Sequence, residues 1–188
     1  MQITDQDRQN LAQVHQLHAR VLAQLPPPHA FQGRGIVTSI YDKEFASGWV
    51  LLCELARLGC TLPLEVFHAK GELSPAQVAL LEQAYPHTTV RCFAEDGLKG
   101  FPLKVMAMFQ ARFYDILWLD SDDRPSREPS VLFDDPEDVE KGSLFWRDVC
   151  GADRAGFWHA GAPVWEVFEV PSNDAEEFET GQLLIHKT

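Results

Sequence analysis

Short apolar runs alternate with segments of helical periodicity along the middle of this sequence. Four runs rich in β-branched and other apolar residues are predicted to be strands: residues 35–40, 62–69, 88–95 and 115–119. Three helices are predicted between them: one with Trp49, Leu52, Cys53, Ala56 and Cys60 on a single face, one from Ser74 to about Tyr85, and one from Pro102 to about Phe113. This alternating order predicts an α/β fold with a mostly parallel central sheet flanked by helices.

The N-terminal segment has a helical pattern of its own. Its apolar residues recur at helical spacing: Leu11, Val14, Leu17, Val21 and Leu25. Three prolines, residues 26–28, follow and are expected to end the helix in a stiff linker. We therefore expect residues 1–30 to form an amphipathic helix and a proline-rich linker, with one domain over residues 31–188. The helix packs on its own domain or serves as a partner or stem helix.

Composition excludes several classes of protein. The formal net charge is −12, which argues against nonspecific binding to nucleic acid or to anionic membranes. No apolar run approaches the ~18 residues of a transmembrane helix, so the chain as written is expected to be soluble. Cys53, Cys60, Cys92 and Cys150 fit no zinc signature and are expected to be buried free thiols.

The fourth predicted strand ends in a cluster of carboxylates, Asp120, Asp122 and Asp123. Ligands of open α/β sheets bind outside the carboxyl ends of the strands. In an extended chain, residues two apart point the same way, so Asp120 and Asp122 are expected to converge on one cation. Carboxylate oxygens suit Mg²⁺ or Mn²⁺, which also bind substrate phosphates. The alternative is a solvated, aspartate-rich turn before Pro125.

Four sequence blocks resemble a known family. The segment ILWLDSDDRPSREPSVLF (116–133) resembles the DxD segment of GT-A glycosyltransferases. More closely, it is similar to the mannosyltransferase family related to fungal α-1,3- and α-1,2-mannosyltransferases. Three further blocks resemble that family in the same order: FQGRGIV (31–37), KGSLFWRDV (141–149) and EFETGQLLIHK (177–187). The resemblance covers residues 31–188 and implies a GT-A-like fold.

The resemblance also implies a function. Members transfer a sugar, here mannose from GDP-mannose, to a glycan hydroxyl with retained anomeric configuration and with Mn²⁺ or Mg²⁺ as cofactor. By position, Asp120 and Asp122 would hold the metal. The implied donor-binding residues are Lys104, Asp120, Ser121, Asp122 and Gly181. On the acceptor side the resemblance implies Trp146 and Asp148, and beside the donor sugar it implies Glu179 and Gln182 as catalytic residues.

The resemblance leaves alternatives to an active transferase. Family members continue beyond the position of Thr188 and are anchored in the Golgi membrane by an N-terminal helix. The chain is therefore expected to be C-terminally short, and the alternative is a non-catalytic or truncated remnant that binds a nucleotide-sugar or a partner protein. A phosphatase or phosphotransferase using an aspartate nucleophile of DSDD ranks lower, because such enzymes place this motif after the first strand.

Overall fold

The computed structural model describes most of the central part of the chain. The described residues are 31–94, 102–135, 141–147 and 178–187, with 4–6, 8–9, 12, 15–16, 19, 165–166 and 171–172. The chain divides into two compact units, one of Met1–Pro27 with Arg147–Glu179 and one of Pro28–Trp146 with Thr180–Thr188. The described residues between 5 and 19 are helical, but the apolar residues of the predicted N-terminal helix lie outside the described part.

A six-stranded sheet carries the described fold. The elements are β1 (Arg34–Ser39), α1 (Phe45–Arg57), β2 (Leu64–His68), α2 (Pro75–Ala84), β3 (Thr88–Cys92), α3 (Pro102–Gln110), β4 (Asp115–Leu119), β5 (Ser143–Arg147) and β6 (Phe178–His186). The strand order is β3-β2-β1-β4-β6-β5. Strands β1 to β4 pair in parallel, and β6 runs antiparallel to β4. The predicted α/β fold with a mostly parallel sheet is confirmed. None of the described helices is long and apolar enough to cross a bilayer.

Apolar layers cover both faces of the sheet. Strand β1 turns Ile36 towards a cluster that includes Leu51 and Leu55 of α1. Its neighbour Val37 joins the opposite cluster, with Leu103 and Ala107 of α3. All five residues of β2 are buried, as expected of an inner parallel strand with helices on both faces. This double burial explains why the inner strands are mostly apolar in the sequence, while the polar Glu65 and His68 of β2 are buried with hydrogen-bond partners.

The predicted buried face of α1 is wrong by one residue. The buried residues of this helix are Gly48, Leu51, Leu52 and Leu55. Trp49 is 41% exposed, and Ala56 is exposed as well. The predicted and observed stripes have the same helical spacing, so periodicity alone cannot separate them. Tertiary packing decides, because a Cβ atom on Gly48 would lie 2.3 Å from Cδ1 of Ile40. Glycine at position 48 leaves room for the buried side chain of Ile40, the residue that follows β1.

The start of α2 follows the sequence signal. Ser74 is the N-cap residue, and Pro75 occupies the first turn. The Ser74 hydroxyl accepts a hydrogen bond from the Gln77 backbone N–H at 3.3 Å, and the Gln77 side chain accepts one from the Ser74 N–H at 2.8 Å. This capping box needs only residues close in sequence, which is why it was predictable.

The cysteines are only partly as expected. Cys53, Cys60 and Cys92 are free thiols, while Cys150 lies outside the described residues. Burial is confirmed for Cys60 but is wrong for Cys92, which is exposed. Cys92 ends β3, the edge strand of the sheet, so it has a neighbouring strand on one side only.

Gly35 of β1 leaves room for an aromatic ring beneath the sheet. A Cβ atom at this position would lie 2.4 Å from the ring of Phe113, which is only 8% exposed. We expect Gly35→Ala to lower the free energy of unfolding by about 1–3 kcal/mol, because the packed ring cannot yield without strain. Urea denaturation measures the loss. Adding Phe113→Leu should restore part of it, and an unchanged stability of Gly35→Ala would contradict the packing described here.

Candidate functional site

A cleft of about 810 Å³ opens at the carboxyl ends of β1 and β4. Residues at and after the ends of these two strands line the cleft, together with residues of the helices and of the loop after β2. The lining residues are Ser39, Tyr41, Asp42, Lys43, Glu44, Ser47, Glu72, Lys104, Asp120, Ser121 and Asp122. This is the edge of a parallel sheet where ligands bind in α/β proteins. Most of the charged lining is acidic, so an anionic ligand here requires a local positive charge.

The residues after β4 form a tight turn. The backbone N–H of Asp123 donates to the carbonyl of Asp120 at 3.0 Å, and the N–H of Asp120 donates to Oδ2 of Asp123 at 3.1 Å. The extended geometry from which convergence of Asp120 and Asp122 was predicted is therefore wrong. Both residues nevertheless line the cleft. Ser121 between them is only 6% exposed, whereas Asp122 is exposed, so one side of the turn is solvated and the other is packed.

Asp120 is held from two directions. Its Oδ1 accepts hydrogen bonds from the indole Nε1 of Trp118 at 2.7 Å and from Nζ of Lys104 at 2.8 Å. Lys104 also donates to the carbonyl of Thr180 at 2.7 Å, and its side chain is only 14% exposed. Its ammonium lies 5.3 Å from the centre of the Trp118 ring. Lys104 thus places a fixed positive charge at the predicted donor site.

Asp123 faces a different cavity from its neighbours. A pocket of about 300 Å³ is lined by Asp123, Arg124, Trp146 and Gln182 among others. Burial raises the pKa of Asp123 to about 6, and the negative charge of Asp120 adds to the rise. The backbone hydrogen bond from Asp120 and the Lys104 charge act in the opposite direction. The turn therefore divides its three carboxylates between two cavities.

Strand β6 brings distant residues to the same sheet edge. The N–H of Asp120 donates to the carbonyl of Gly181 at 2.8 Å, and Gln182 is paired with Leu119. Glu179 lies in the same strand but belongs to the other compact unit, and Asp148 lies outside the described residues. Of the predicted site residues, the structure brings together Lys104, Asp120, Ser121, Asp122, Gly181, Gln182 and Trp146.

Three residues of the site were not predicted. Trp118 and Asp123 contact Asp120 directly, and Glu44 accepts a 3.4 Å hydrogen bond from the Ser121 hydroxyl. Trp118 had a usable signal, because it stands two residues before Asp120 on a strand and so shares its direction. The contact between Glu44 and Ser121 joins residues far apart in sequence, and local pattern could not reveal it.

Among the described residues, no group of three or more His, Cys, Asp or Glu side chains is arranged to hold a metal ion. Asp120 and Asp122 offer only two carboxylates from the turn. This donor set differs from a closed, all-protein metal site. It suits a hard cation such as Mg²⁺, which is often held by one or two carboxylates and completes its shell with water and substrate phosphates.

Known protein structures share this fold. The galactosyltransferase LgtC, solved with donor and acceptor sugar analogues, superimposes with a TM-score of 0.58 at 14% identity, covering 81% of this chain and 57% of LgtC. The bifunctional glycosyltransferase WbbM superimposes with a TM-score of 0.57 at 16% identity, covering 82% of this chain and 31% of WbbM. These neighbours are GT-A glycosyltransferases, so the likeness shows a GT-A fold.

Sequence comparison identifies the family. Alpha-1,2-mannosyltransferase MNN21 of Candida albicans is 28% identical over an alignment of 164 positions, which covers 74% of this chain and 24% of that protein. Alpha-1,2-mannosyltransferase MNN2 of Saccharomyces cerevisiae is 23% identical over 160 residues, covering 79% of this chain and 26% of that protein. The chain thus spans about a quarter of the length of these relatives. Residues 33–156 match the family described as "Mannosyltransferase putative", and the chain therefore belongs to this mannosyltransferase family.

Proposed function

We propose that the protein is a metal-dependent glycosyltransferase that moves mannose from GDP-mannose to a glycan hydroxyl with retained anomeric configuration. The observation that carries the proposal is the joint placement of Asp120, Asp122 and Lys104 in one cleft at the carboxyl ends of β1 and β4. Family membership supports the transferred sugar, because both fungal relatives are named as mannosyltransferases. The retained configuration and the GDP donor rest on the family resemblance.

The turn after β4 is proposed to bind the cation and the donor diphosphate. Asp120 and Asp122 would hold Mn²⁺ or Mg²⁺ through carboxylate oxygens. When bound, the cation supplies Lewis-acid neutralisation of the leaving diphosphate. The buried Ser121 would keep the two carboxylates in place, because its hydroxyl is anchored on Glu44.

Lys104 is proposed to balance charge in the acidic cleft. The Lys104 ammonium forms an ion pair with Oδ1 of Asp120 and donates a hydrogen bond to the carbonyl of Thr180. A donor diphosphate that reaches Asp120 would therefore also meet this ammonium. Because α3 and β6 both hold Lys104, little side-chain freedom remains to be lost on binding.

The sugar is proposed to lie towards β6. Gly181 has no side chain and is buried next to Asp120, which leaves the backbone close to the site. The amide of Gln182 would stabilise positive charge that develops at the anomeric carbon. Trp146 would cover an apolar sugar face on the acceptor side, and Asp148 and Glu179 keep the acceptor and catalytic roles that the family resemblance implies for them.

Calorimetric titration of GDP-mannose into the folded chain tests the proposal, with and without Mn²⁺ and with UDP-glucose in parallel. We expect Mn²⁺-dependent binding of GDP-mannose, followed by mannose transfer to glycan acceptors or slow donor hydrolysis. Failure of a folded sample to bind any nucleotide-sugar would contradict the proposal. Binding without transfer or hydrolysis would support the alternative, a non-catalytic nucleotide-sugar-binding protein.

A further inference from the structure

The turn from Asp120 to Asp123 forms part of the wall of two cavities. Asp120, Ser121 and Asp122 line the larger cleft, and Asp123 lines the pocket of about 300 Å³. We propose that this smaller pocket binds the acceptor's terminal sugar and that Asp123 is its sugar-binding carboxylate. The inference rests on the proposed glycosyl transfer, because it assigns a binding pocket to the acceptor, the second substrate of that reaction.

The lining of the pocket suits a neutral sugar. Asp123 offers carboxylate oxygens and Ser126 a hydroxyl, and these groups can hydrogen-bond adjacent sugar hydroxyls in both directions. Trp146 supplies an aromatic surface for the C–H face of a hexose. At about 300 Å³ the pocket is at the lower end of small-molecule sites, so it fits one sugar unit rather than an extended glycan.

A phosphate group fits the smaller pocket less well than a neutral sugar does. The guanidinium groups of Arg124 and Arg127 are balanced in the lining by the carboxylates of Asp123 and Glu128. Arg124 is also occupied by backbone, because its Nη1 donates to the Asp123 carbonyl at 2.6 Å. Glu128 accepts hydrogen bonds from the backbone and hydroxyl of Ser130. Asp123 is thus the carboxylate best placed to bind a ligand, and the pocket as a whole has no excess of positive charge.

The position of Asp123 connects acceptor and donor. Its Oδ2 accepts from the Asp120 N–H at 3.1 Å, so its carboxylate is fixed relative to the residue proposed to bind the donor diphosphate. Glycosyl transfer requires the acceptor hydroxyl to stand next to the donor sugar. Two cavities walled by one four-residue turn would hold the two substrates on either side of it.

The test measures binding of methyl α-mannoside, methyl α-glucoside and inorganic phosphate to the chain. Saturation-transfer NMR detects the binding, with and without GDP and Mn²⁺. We expect millimolar binding of a glycoside by the wild-type chain. Asp123→Asn, which keeps an acceptor for the Asp120 N–H, and Trp146→Ala should each weaken it by about tenfold or more. In Asp123→Asn the loss of glycoside affinity should exceed any loss of GDP-mannose affinity, and thermal stability should stay near wild type. The matched control is Glu82→Gln, which removes an exposed carboxylate on α2 that lines neither cavity.

Several outcomes would overturn the inference, and they differ from failure of the proposed function. If the wild-type chain binds GDP-mannose but no glycoside up to about 50 mM, the proposed donor site stands and the proposed acceptor pocket is contradicted. Binding of phosphate in place of a glycoside has the same consequence. Equal losses of glycoside and donor binding in Asp123→Asn would show that Asp123 stabilises the turn and does not bind the acceptor sugar. Loss of all nucleotide binding in the wild type contradicts the proposed function, and the nucleotide-free glycoside titration still decides on the pocket.

Discussion

Asp120→Asn and Asp122→Asn are each expected to weaken Mn²⁺-dependent binding of GDP-mannose by about 100-fold or more. Asparagine has nearly the same size as aspartate and can still accept hydrogen bonds. The substitution therefore removes mainly the negative charge that a divalent cation requires. Mannosyl transfer should fall at least in proportion, because the leaving diphosphate would lose its counter-charge. Calorimetry with and without Mn²⁺ measures the effect on binding.

The metal-free titration separates a metal role from a structural one. In Asp120→Asn, the Lys104 ammonium loses its carboxylate partner, which lies at 2.8 Å in the wild type. Metal-free affinity for GDP should therefore stay the same or increase, since one negative charge leaves the cleft while the lysine remains. Glu82→Gln, which changes net charge by the same amount on the surface of α2, should leave both titrations unchanged. Retained Mn²⁺-dependent binding in both aspartate variants would exclude the turn as the metal site.

Glu65→Ala is expected to lower the free energy of unfolding by about 3 kcal/mol, the largest effect on stability that we predict. Glu65 lies in β2 and is only 1% exposed. Its carboxylate accepts from Nη1 of Arg91 at 3.0 Å, from Nε of Arg112 at 2.6 Å and from the Arg112 backbone N–H at 3.1 Å. Arg91 in turn donates to the carbonyl of Gln110 at the end of α3. The carboxylate thus joins two strands to the helix that carries Lys104.

A surface ion pair provides the matched control for Glu65. Glu54 pairs with Arg57 within α1, where the arginine side chain is 61% exposed. Glu54→Ala should cost only about 0.5 kcal/mol, because solvent screens such pairs. Urea denaturation with comparable m-values compares the two variants. A similar small loss for both would show that the Glu65 contacts contribute no more than a surface pair.

Local features were predictable because they depend on residues close in sequence. The apolar run DILWL was predicted as a strand over 115–119, and β4 spans Asp115–Leu119. Both faces of this strand are covered, and its apolar residues Ile116–Leu119 stand between Asp115 and Asp120, so its limits are visible in the sequence. The capping box at Ser74 involves residues three apart and was equally visible. The end of α3 was predicted less accurately, since the helix ends at Gln110 and the prediction placed its end near Phe113.

The position of the candidate site was also predictable, but its internal geometry was not. In an alternating α/β chain, the residue after a strand must lie at the carboxyl edge of the sheet, so the place of Asp120 follows from the order of elements. The direction of each carboxylate depends on the turn, and Asp123 faces the smaller pocket for that reason. The turn is closed by backbone hydrogen bonds that the Asp-rich sequence suggests but does not require.

The sequence by itself determined the α/β fold, the order of its elements, and the sheet edge at which the acidic turn lies. Only the tertiary structure decided which face of α1 is buried, because a helical stripe shifted by one residue has the same periodicity. It alone placed Lys104 on Asp120 and Gly181 beside the same residue. Such contacts join separate elements, and they arise when the sheet and its helices pack together, which no local pattern specifies.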